Sequence, residues 1–503
     1  MVADSAGTGA NAVAETGPAS AGVTHINQHG KDNFQGVLEC RWTEMKGRIL
    51  HATREFRQGE VILAEAPLHI VQEQDDAPAF RKLKALCEKH QDDFDYDPLW
   101  YWCALQSLTK EQIKGAKHGG WAGAAPEVQR NLLLLHHEDV KEAGSASEIL
   151  VRDLATNADA KLIERLTQIW VLNCFEYSDN PQGFSTYFFS SFMSHSCFPN
   201  AVWHYTGTDH VLRARRDIRI GDEVCISYLP EHGLLNAAPT RRMELYETKH
   251  FWCDCERCRS GLLDLSRGFV CPKCRTGVVF AQTPCSGPAK DGSYLASQLS
   301  GATCSKCAYR TNDKDAKKLA AHEKRLKEIV DTLSQQEEDD ELDNLDSNAM
   351  LEHEKFIDAN FAQHVMADLA WEKLSDYYVT KHRGGDQRRL LERRCGFHAA
   401  AYPGLSGAHA WALEAHGDAM LRSSAAKEVQ NKKKRVWQVA VKEEPEVAKA
   451  LYTQALNIFK LMFGEDHEYP QAVCKKLAKV FELISKKRAG SARQAEEARD
   501  GVS

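Results

Sequence analysis

The hydrophobic positions of this chain switch between strand and helix periods. From Leu38 the pattern is strand-like. Ile49-Leu50 and Val61-Ile62-Leu63 are separated by the turn Arg57-Gln58-Gly59-Glu60, and Pro67 limits the second strand. From residue 72 to about 172, apolar residues recur at helical spacing in Leu83 and Leu86, from Leu99 to Leu108, and from Ile149 to Leu172. Gly119-Gly120 and Gly123 mark a break in that region. Alternation returns in Val202–Tyr205 and His210–Ala214, which flank Thr206-Gly207-Thr208-Asp209 and predict a hairpin. Ile218 to Gly221 then turns the chain into Val224-Cys225-Ile226-Ser227-Tyr228. Further on, a charged helix is expected over Lys317–Leu333 and a solvated acidic linker over Glu337–Asp346. Helices are expected from Leu351 to Lys487, with no strand signals.

These periods predict an α+β chain with two strand-rich halves, 33–71 and 166–250, around a helical insert at 72–165. Cysteine-bearing segments follow at 251–260 and 261–312, then a charged helix and linker at 313–350 and a helical domain at 351–490. The Ala/Gly/Ser-rich start, 1–32, reads as a disordered tail, and 491–503 reads as a frayed one. A length of 503 residues suggests two to four domains. A formal charge of -7 gives no electrostatic reason to expect nucleic acid as a partner. No apolar run is long enough to span a membrane, and Asp4 and Glu15 stand where a signal peptide would be basic and then apolar. The expected setting is cytoplasm or nucleus. Lys432-Lys433-Lys434-Arg435 reads either as a nuclear signal or as a solvated helix face.

In a reducing compartment the 16 cysteines point to metal rather than disulfides. Cys253, Cys255 and Cys258 place three thiols within six residues, which suits tetrahedral zinc but leaves a fourth ligand to find. Cys197, in a turn-prone segment before Pro199-Asn200, is the best candidate. Cys271-Pro272-Lys273-Cys274 and Cys304-Ser305-Lys306-Cys307 form two knuckles of a second four-sulfur site, with Gly277 suited to the turn after the first. Cys285, in the long loop between the knuckles, is a weaker alternative ligand, and a redox dithiol is the rival chemistry. Together the two sets predict about two structural zinc ions.

The order of three segments carries a resemblance. Ser194-His195-Ser196-Cys197-Phe198-Pro199-Asn200 comes first, then Gly221-Asp222-Glu223-Val224-Cys225-Ile226-Ser227-Tyr228, then Phe251-Trp252-Cys253. They resemble the SET domain of the SET-and-MYND protein lysine methyltransferases. Lys46 to Thr53, Asn173-Cys174-Phe175, Tyr187 and Phe463-Gly464-Glu465-Asp466-His467 extend the likeness. It implies a SET-type β fold with a helical insert, a post-SET zinc site, a zinc-ribbon-like segment and a C-terminal α-helical, TPR-like domain. It implies transfer of a methyl group from S-adenosylmethionine to a lysine of a protein substrate, histone or non-histone.

By the same resemblance the cofactor lies against the main chain of Lys46, Gly47 and Arg48, near Asn173, and under Ser194 and His195. Phe251 packs on the adenine, Tyr228 is the catalytic tyrosine, and Tyr187 lines the lysine channel with it. The chain departs from the family at three places. Ser194 stands where Asn is usual, Ile49 where glycine is common, and 72–165 holds only Cys87 and Cys103 instead of a MYND finger.

Each residue also has a plain alternative: strand packing for Tyr228, core for Phe251, a helix end for Asn173. Two other functional classes follow from the residues. A catalytically silent scaffold would bind partner proteins through its helical repeats. A cysteine nucleophile at Cys197 served by His195 is weaker, because residues so close in sequence rarely orient a base toward the nucleophile.

Overall fold

A computed structural model describes residues 18–154, 157–284, 298–338, 345–422, 428–431, 434–437 and 442–500. Its first element is helix α1 (Pro18–Phe34), followed by β1 (Leu38–Thr43), β2 (Gly47–Ala52), β3 (Val61–Glu65) and β4 (His69–Gln72). The insert holds α2 (Pro78–Lys89), α3 (Pro98–Gln106), α4 (Pro126–Leu132), α5 (Ser145–Asp153) and α6 (Ala160–Asn173). Strands resume with β5 (Phe175–Asp179), β6 (Gln182–Thr186), β7 (Ser194–His195), β8 (Ala201–Thr206), β9 (Asp209–Ala214) and β10 (Cys225–Ile226).

These strands form small sheets: β1-β2, β3-β9-β8 and β4-β6-β5, with β10 pairing β7 in parallel. Chain segments distant in sequence thus cross near Ser194. The β8–β9 hairpin turns at Gly207, whose φ of +61 suits glycine. One core joins the sheets to the insert through Leu50, Phe80, Trp102, Ile163, Trp170 and Leu212, all fully buried. The Gly-rich break also has a packing cause, since a Cβ on Gly120 would come within 2.6 Å of the Ala77 Cβ.

Helix α7 (Ala238–Lys249) opens on Pro239 in its first turn and ends at His250 in the left-handed region, φ 57. Strands β11 (Leu263–Val270) and β12 (Val278–Gln282) follow, then α8 (Asp313–Glu338) and α9 (Ser347–Asn360). Strand β13 (Phe361–His364) completes the sheet β12-β11-β13. Helices α10 (Val365–Thr380), α11 (Gly384–Ala401), α12 (Gly407–Met420), α13 (Pro445–Phe463) and α14 (Glu468–Asp500) pack each on the next. Arg215 ties this array to the β8–β9 sheet. It is 3% exposed, pairs with Glu231 at 2.6 Å, and donates to the Leu405 carbonyl at 2.7 Å.

Several sequence expectations change. Within 1–32, the residues from Pro18 onward are helical rather than tail. Ile26 is wholly buried, and the Asn27 side chain exchanges hydrogen bonds with the Cys40 main chain at 2.6 and 3.0 Å. The helical region contains strands after all: β13, and a hairpin of β14 (Glu428–Asn431) with β15 (Lys434–Trp437). Of the basic run, Lys432 and Lys433 lie outside the described residues, while Lys434 and Arg435 are in β15 and not on a helix. The C-terminal end is helical through Asp500. Residues 339–344 of the acidic linker, and Cys285, lie outside the described residues.

Candidate active site and metal centres

The crossing of β7 and β10 gathers three predicted residues. Ser194 faces Cys225 and His195 faces Ile226 across the parallel pair, so Tyr228 emerges two residues past it. The Tyr228 N–H donates to His195 Nδ1 at 2.9 Å, and its hydroxyl donates to the Met193 carbonyl at 2.6 Å. The tyrosine nevertheless keeps 39% of its surface open. Burial of the phenol oxygen, with Cys225 and Glu223 nearby, raises its pKa. Phe251 arrives from beyond α7 and is half-buried. Its ring lies 6.0 Å from His195 and 6.4 Å, edge-on, from Tyr228.

The strand β2 joins the same place through the main chain. Val224 N–H donates to Leu50 O, Ala52 N–H to Asp222 O and Gly221 N–H to Ala52 O, each at 2.8 or 2.9 Å. Asn200 braces the stretch from the other side, giving its amide N–H to Glu223 O and accepting from Cys225 N, both at 2.8 Å. Lys46 Nζ pairs with both Glu223 carboxylate oxygens at 2.7 and 2.9 Å, and the Ser194 hydroxyl also donates to Glu223. Gly47 has φ +68, and a Cβ there would meet nothing within 4 Å. Its main chain is therefore open to close approach by a ligand.

The side chains of other predicted residues have partners of their own. Arg48 points toward the insert and donates to the Leu134 carbonyl at 2.7 Å. Asn173 ends α6 and gives its amide N–H groups to His136 O and Ile169 O at 2.8 and 2.7 Å, so its amide nitrogen serves packing. Tyr187 is fully buried, its hydroxyl bound to the Thr208 carbonyl at 2.7 Å. It stacks among Phe175, Tyr205 and His210. The ring is thus held within the β5, β8 and β9 side of the domain by these neighbours.

Two four-cysteine groups lie within ligand range. The sulfurs of Cys197, Cys253, Cys255 and Cys258 are all within 4.8 Å of one another, as are those of Cys271, Cys274, Cys304 and Cys307. The donor sets fit tetrahedral zinc, for which four thiolates suffice. Arginines that sequence reasoning missed, Arg241 and Arg242 buried and Arg257 partly so, surround the first group. Arg242 donates to the carbonyls of Cys253 and Cys258, Arg241 to Cys258 Sγ at 3.5 Å, and Arg257 to Cys197 O at 3.0 Å. A zinc ion with four thiolates carries a net negative charge, which these cations offset. The signals that pointed to them are the adjacent pair Arg241-Arg242 upstream of the clustered cysteines and the place of Arg257 between Cys255 and Cys258.

The second group consists of two matching knuckles. Arg275 and Ala308, each just after the second cysteine of its pair, both have positive φ, 60 and 53. Main-chain N–H groups of Gly277 and Lys306 donate to Cys274 and Cys304 sulfurs at 3.3 and 3.4 Å. A Cβ on Gly277 would sit 2.4 Å from Cys304 Sγ, so the turn requires glycine.

The objection to a Cys197–His195 pair needs revision. His195 Nε2 lies 3.2 Å from Cys197 Sγ despite the short sequence separation. Since Nδ1 accepts from Tyr228, Nε2 carries the proton and donates to sulfur. Burial lowers the imidazole pKa to about 4, which keeps it neutral. Cys197 itself is 0% exposed and ringed by three further thiols, a ligand's surroundings and not those of a nucleophile.

Comparison with known proteins adds a domain match. Residues 47–229 match the SET domain. The histone-lysine N-methyltransferase ASHR1 of Arabidopsis thaliana is 25% identical over 57% of this chain and 67% of that protein. The human histone-lysine N-methyltransferase SMYD3 is 40% identical, over 14% of this chain and 16% of its own length. The potential protein lysine methyltransferase SET6 of Saccharomyces cerevisiae is 36% identical over 17% and 23%. The match thus spans well under a quarter of the human protein. Among solved structures, the SET domain of LSMT bound to lysine and AdoHcy covers 75% of this chain and 91% of its own, at 11% identity and a TM-score of 0.28. Residues 47–229 are therefore similar to the SET domain, and two of the relatives that the chain resembles are histone-lysine N-methyltransferases.

Proposed function

We propose that this protein is an S-adenosylmethionine-dependent protein lysine N-methyltransferase. The observation that carries the reading is the convergence of an accessible Tyr228, His195 and Phe251, with the open main chain of Gly47 tied to Ser194, on the strand of His195, through Lys46 and Glu223. When bound, S-adenosylmethionine supplies the sulfonium methyl group. The pocket fits it chemically: Phe251 offers a flat apolar face for adenine, and Gly47 permits backbone approach.

Methyl transfer to an amine is an in-line displacement that disperses charge, so it needs alignment and a desolvated neutral lysine more than a strong acid. Tyr228 suits that task. Its phenol is held protonated and donates to Met193 O, its main-chain N–H is held by His195 Nδ1, and the phenol offers oxygen lone pairs to a methyl without acting as a nucleophile. Cys197, Cys253, Cys255 and Cys258 hold one structural zinc beside this pocket, and Cys271, Cys274, Cys304 and Cys307 hold another. The substrate is a lysine-bearing protein. We read helices α10 to α14 as a TPR-like array whose concave side takes a partner or walls the substrate cleft. The setting is cytoplasmic, nuclear or both.

The test is labelled-methyl transfer into cell extract by wild type and Tyr228→Phe. We expect the variant to lose about 100-fold in rate, the scale for one oriented group in a transition state. Equal labelling by both proteins would remove Tyr228 from its role. No labelling by wild type, with no binding of S-adenosylmethionine in calorimetry, would leave the scaffold reading.

A further inference from the structure

Glu223 was not among the residues expected to serve the pocket, yet it joins two that were. Its carboxylate takes the Lys46 ammonium on both oxygens, at 2.7 and 2.9 Å, and the Ser194 hydroxyl on Oε1. Lys46 precedes the open glycine at Gly47, and Ser194 begins β7, so these residues lie on two segments far apart in sequence. The carboxylate is anchored by its own main chain. Asn200 donates to Glu223 O, and the residue bridges His51 in β2. The Glu223 side chain is 25% exposed and that of Lys46 48%, so the geometry of two oxygens on one ammonium, and not burial, sets this contact apart from a single surface pair.

Ser194 explains why such a clamp is needed. A serine offers one O–H donor on a short stem, and here that donor is committed to Glu223, with Cys225 Sγ 3.3 Å away on its other side. An asparagine in its place would offer an amide with both donor and acceptor on a longer stem. With serine, order at this edge must come from elsewhere. The Lys46–Glu223–Ser194 chain fixes the Lys46-Gly47 main chain against β7, at the edge where a nucleotide-type ligand would contact backbone.

We propose that Glu223 is a positioning residue for the cofactor, holding Lys46-Gly47 and Ser194 in one rigid edge and thereby compensating for the missing asparagine amide. The proposal rests on the methyltransferase reading above. Its test is calorimetric binding of S-adenosylhomocysteine to the full chain in wild type, Glu223→Gln, Lys46→Met, the double variant, and Glu223→Gln with Ser194→Asn. The apo melting temperature is recorded for each.

We expect Glu223→Gln and Lys46→Met each to weaken binding about 10-fold, the scale for a charge-assisted hydrogen bond. The double variant should be no weaker than either alone, because one contact is removed in both. Apo melting should shift by no more than about 0.5 °C, below the roughly 2 °C that 1 kcal/mol of lost stability produces even in a domain of about 250 residues. Turnover at saturating cofactor should hold within about twofold, the split expected when ground state and transition state lose the same contact. Ser194→Asn should restore most of the affinity lost in Glu223→Gln.

Unchanged affinity in Glu223→Gln would overturn the proposal, as would independent, multiplying losses in the double variant. A melting drop that tracks the loss of affinity, without rescue by Ser194→Asn, would reduce Glu223 to a general fold support. Wild type that fails to bind the ligand would overturn the methyltransferase reading itself, a result distinct from all of these.

Discussion

His210 shows how a single buried side chain can set the acid limit of this domain. It is 0% exposed, neither ring nitrogen has a hydrogen-bond partner, and it stacks on Trp203 with centroids 5.1 Å apart. Burial, reinforced by His204, pushes its pKa down to about 3. In the unfolded chain the same imidazole titrates near 6.5. Between those values the unfolded state binds a proton that the folded state refuses, so stability rises with pH and is lost as pH falls below about 6.5. His204, with a pKa of about 4, acts in the same direction. Replacing His210 by Phe should keep the aromatic packing and remove one proton from the balance. The acid slope of stability, from urea melts between pH 6 and 4, should flatten by about 1.4 kcal/mol per pH unit. An unchanged slope would mean that His210 finds a partner or solvent in the folded protein.

At the scale of elements, the knuckles were legible from sequence because their geometry is local. Cys-x-x-Cys spacing and Gly277 specify a turn with sulfurs on one side regardless of what packs around it. Gly277→Ala should therefore reduce bound zinc from about two to about one per chain, measured by metal analysis, while the first group stays filled. Two zinc ions retained would show that the turn relaxes around the new methyl. The β8–β9 hairpin was legible for the same reason, its register set by alternation and a short turn.

What escaped reading was set by distant partners. Strand β13 is four residues long and exists because β11 pairs with it, which no local period signals. Helix α1 has a sparse apolar stripe, Ile26 with small Gly22 and Gly30 beside it, so composition hid its docking against Arg48 and Phe189. Truncating Ile26 to Ala should cost about 2–4 kcal/mol by leaving a cavity in the main core. A loss below about 1 kcal/mol in equilibrium melts would show that α1 is peripheral to stability.

The β11–α8 joint illustrates the same dependence on partners. Arg267 is 1% exposed and meets Glu323 on both carboxylate oxygens at 2.6 Å, with His364 of β13 at 3.1 Å from the same acid. Arg267 and His364 hold the Glu323 carboxyl down to about 2 against the effect of its burial. Removing only the acid, as in Glu323→Ala, leaves a buried guanidinium without its counter-charge, with Gln298 Oε1 still accepting from it at 2.8 Å, and should cost about 3 kcal/mol. Replacing both by apolar residues should cost much less. Equal losses from the single and double changes would show that the pair contributes more than mutual compensation.

Across the whole molecule, the two cysteine groups do different work because they are wired differently to the pocket. The second group braces the ribbon on the helical half, with Arg275 of its first knuckle donating to the Ala359 carbonyl. The first group reaches Tyr228 in two hydrogen bonds, from Cys197 Sγ through His195 to the Tyr228 N–H. Its other cysteines follow Phe251 by two to seven residues, so loss of the metal would free both the imidazole and the aromatic face. A support of this kind, one layer out from a ligand set, commonly changes affinity 10- to 100-fold. Cys258→Ser should accordingly lose one zinc and weaken S-adenosylhomocysteine binding at least about 10-fold. Cys304→Ser should lose one zinc with affinity held within about twofold. Paired zinc analysis and calorimetry on the two variants decide the matter. Equal affinities would mean that the metal nearest Tyr228 holds the chain together without organising the pocket, and that the His195 bridge is incidental to cofactor binding.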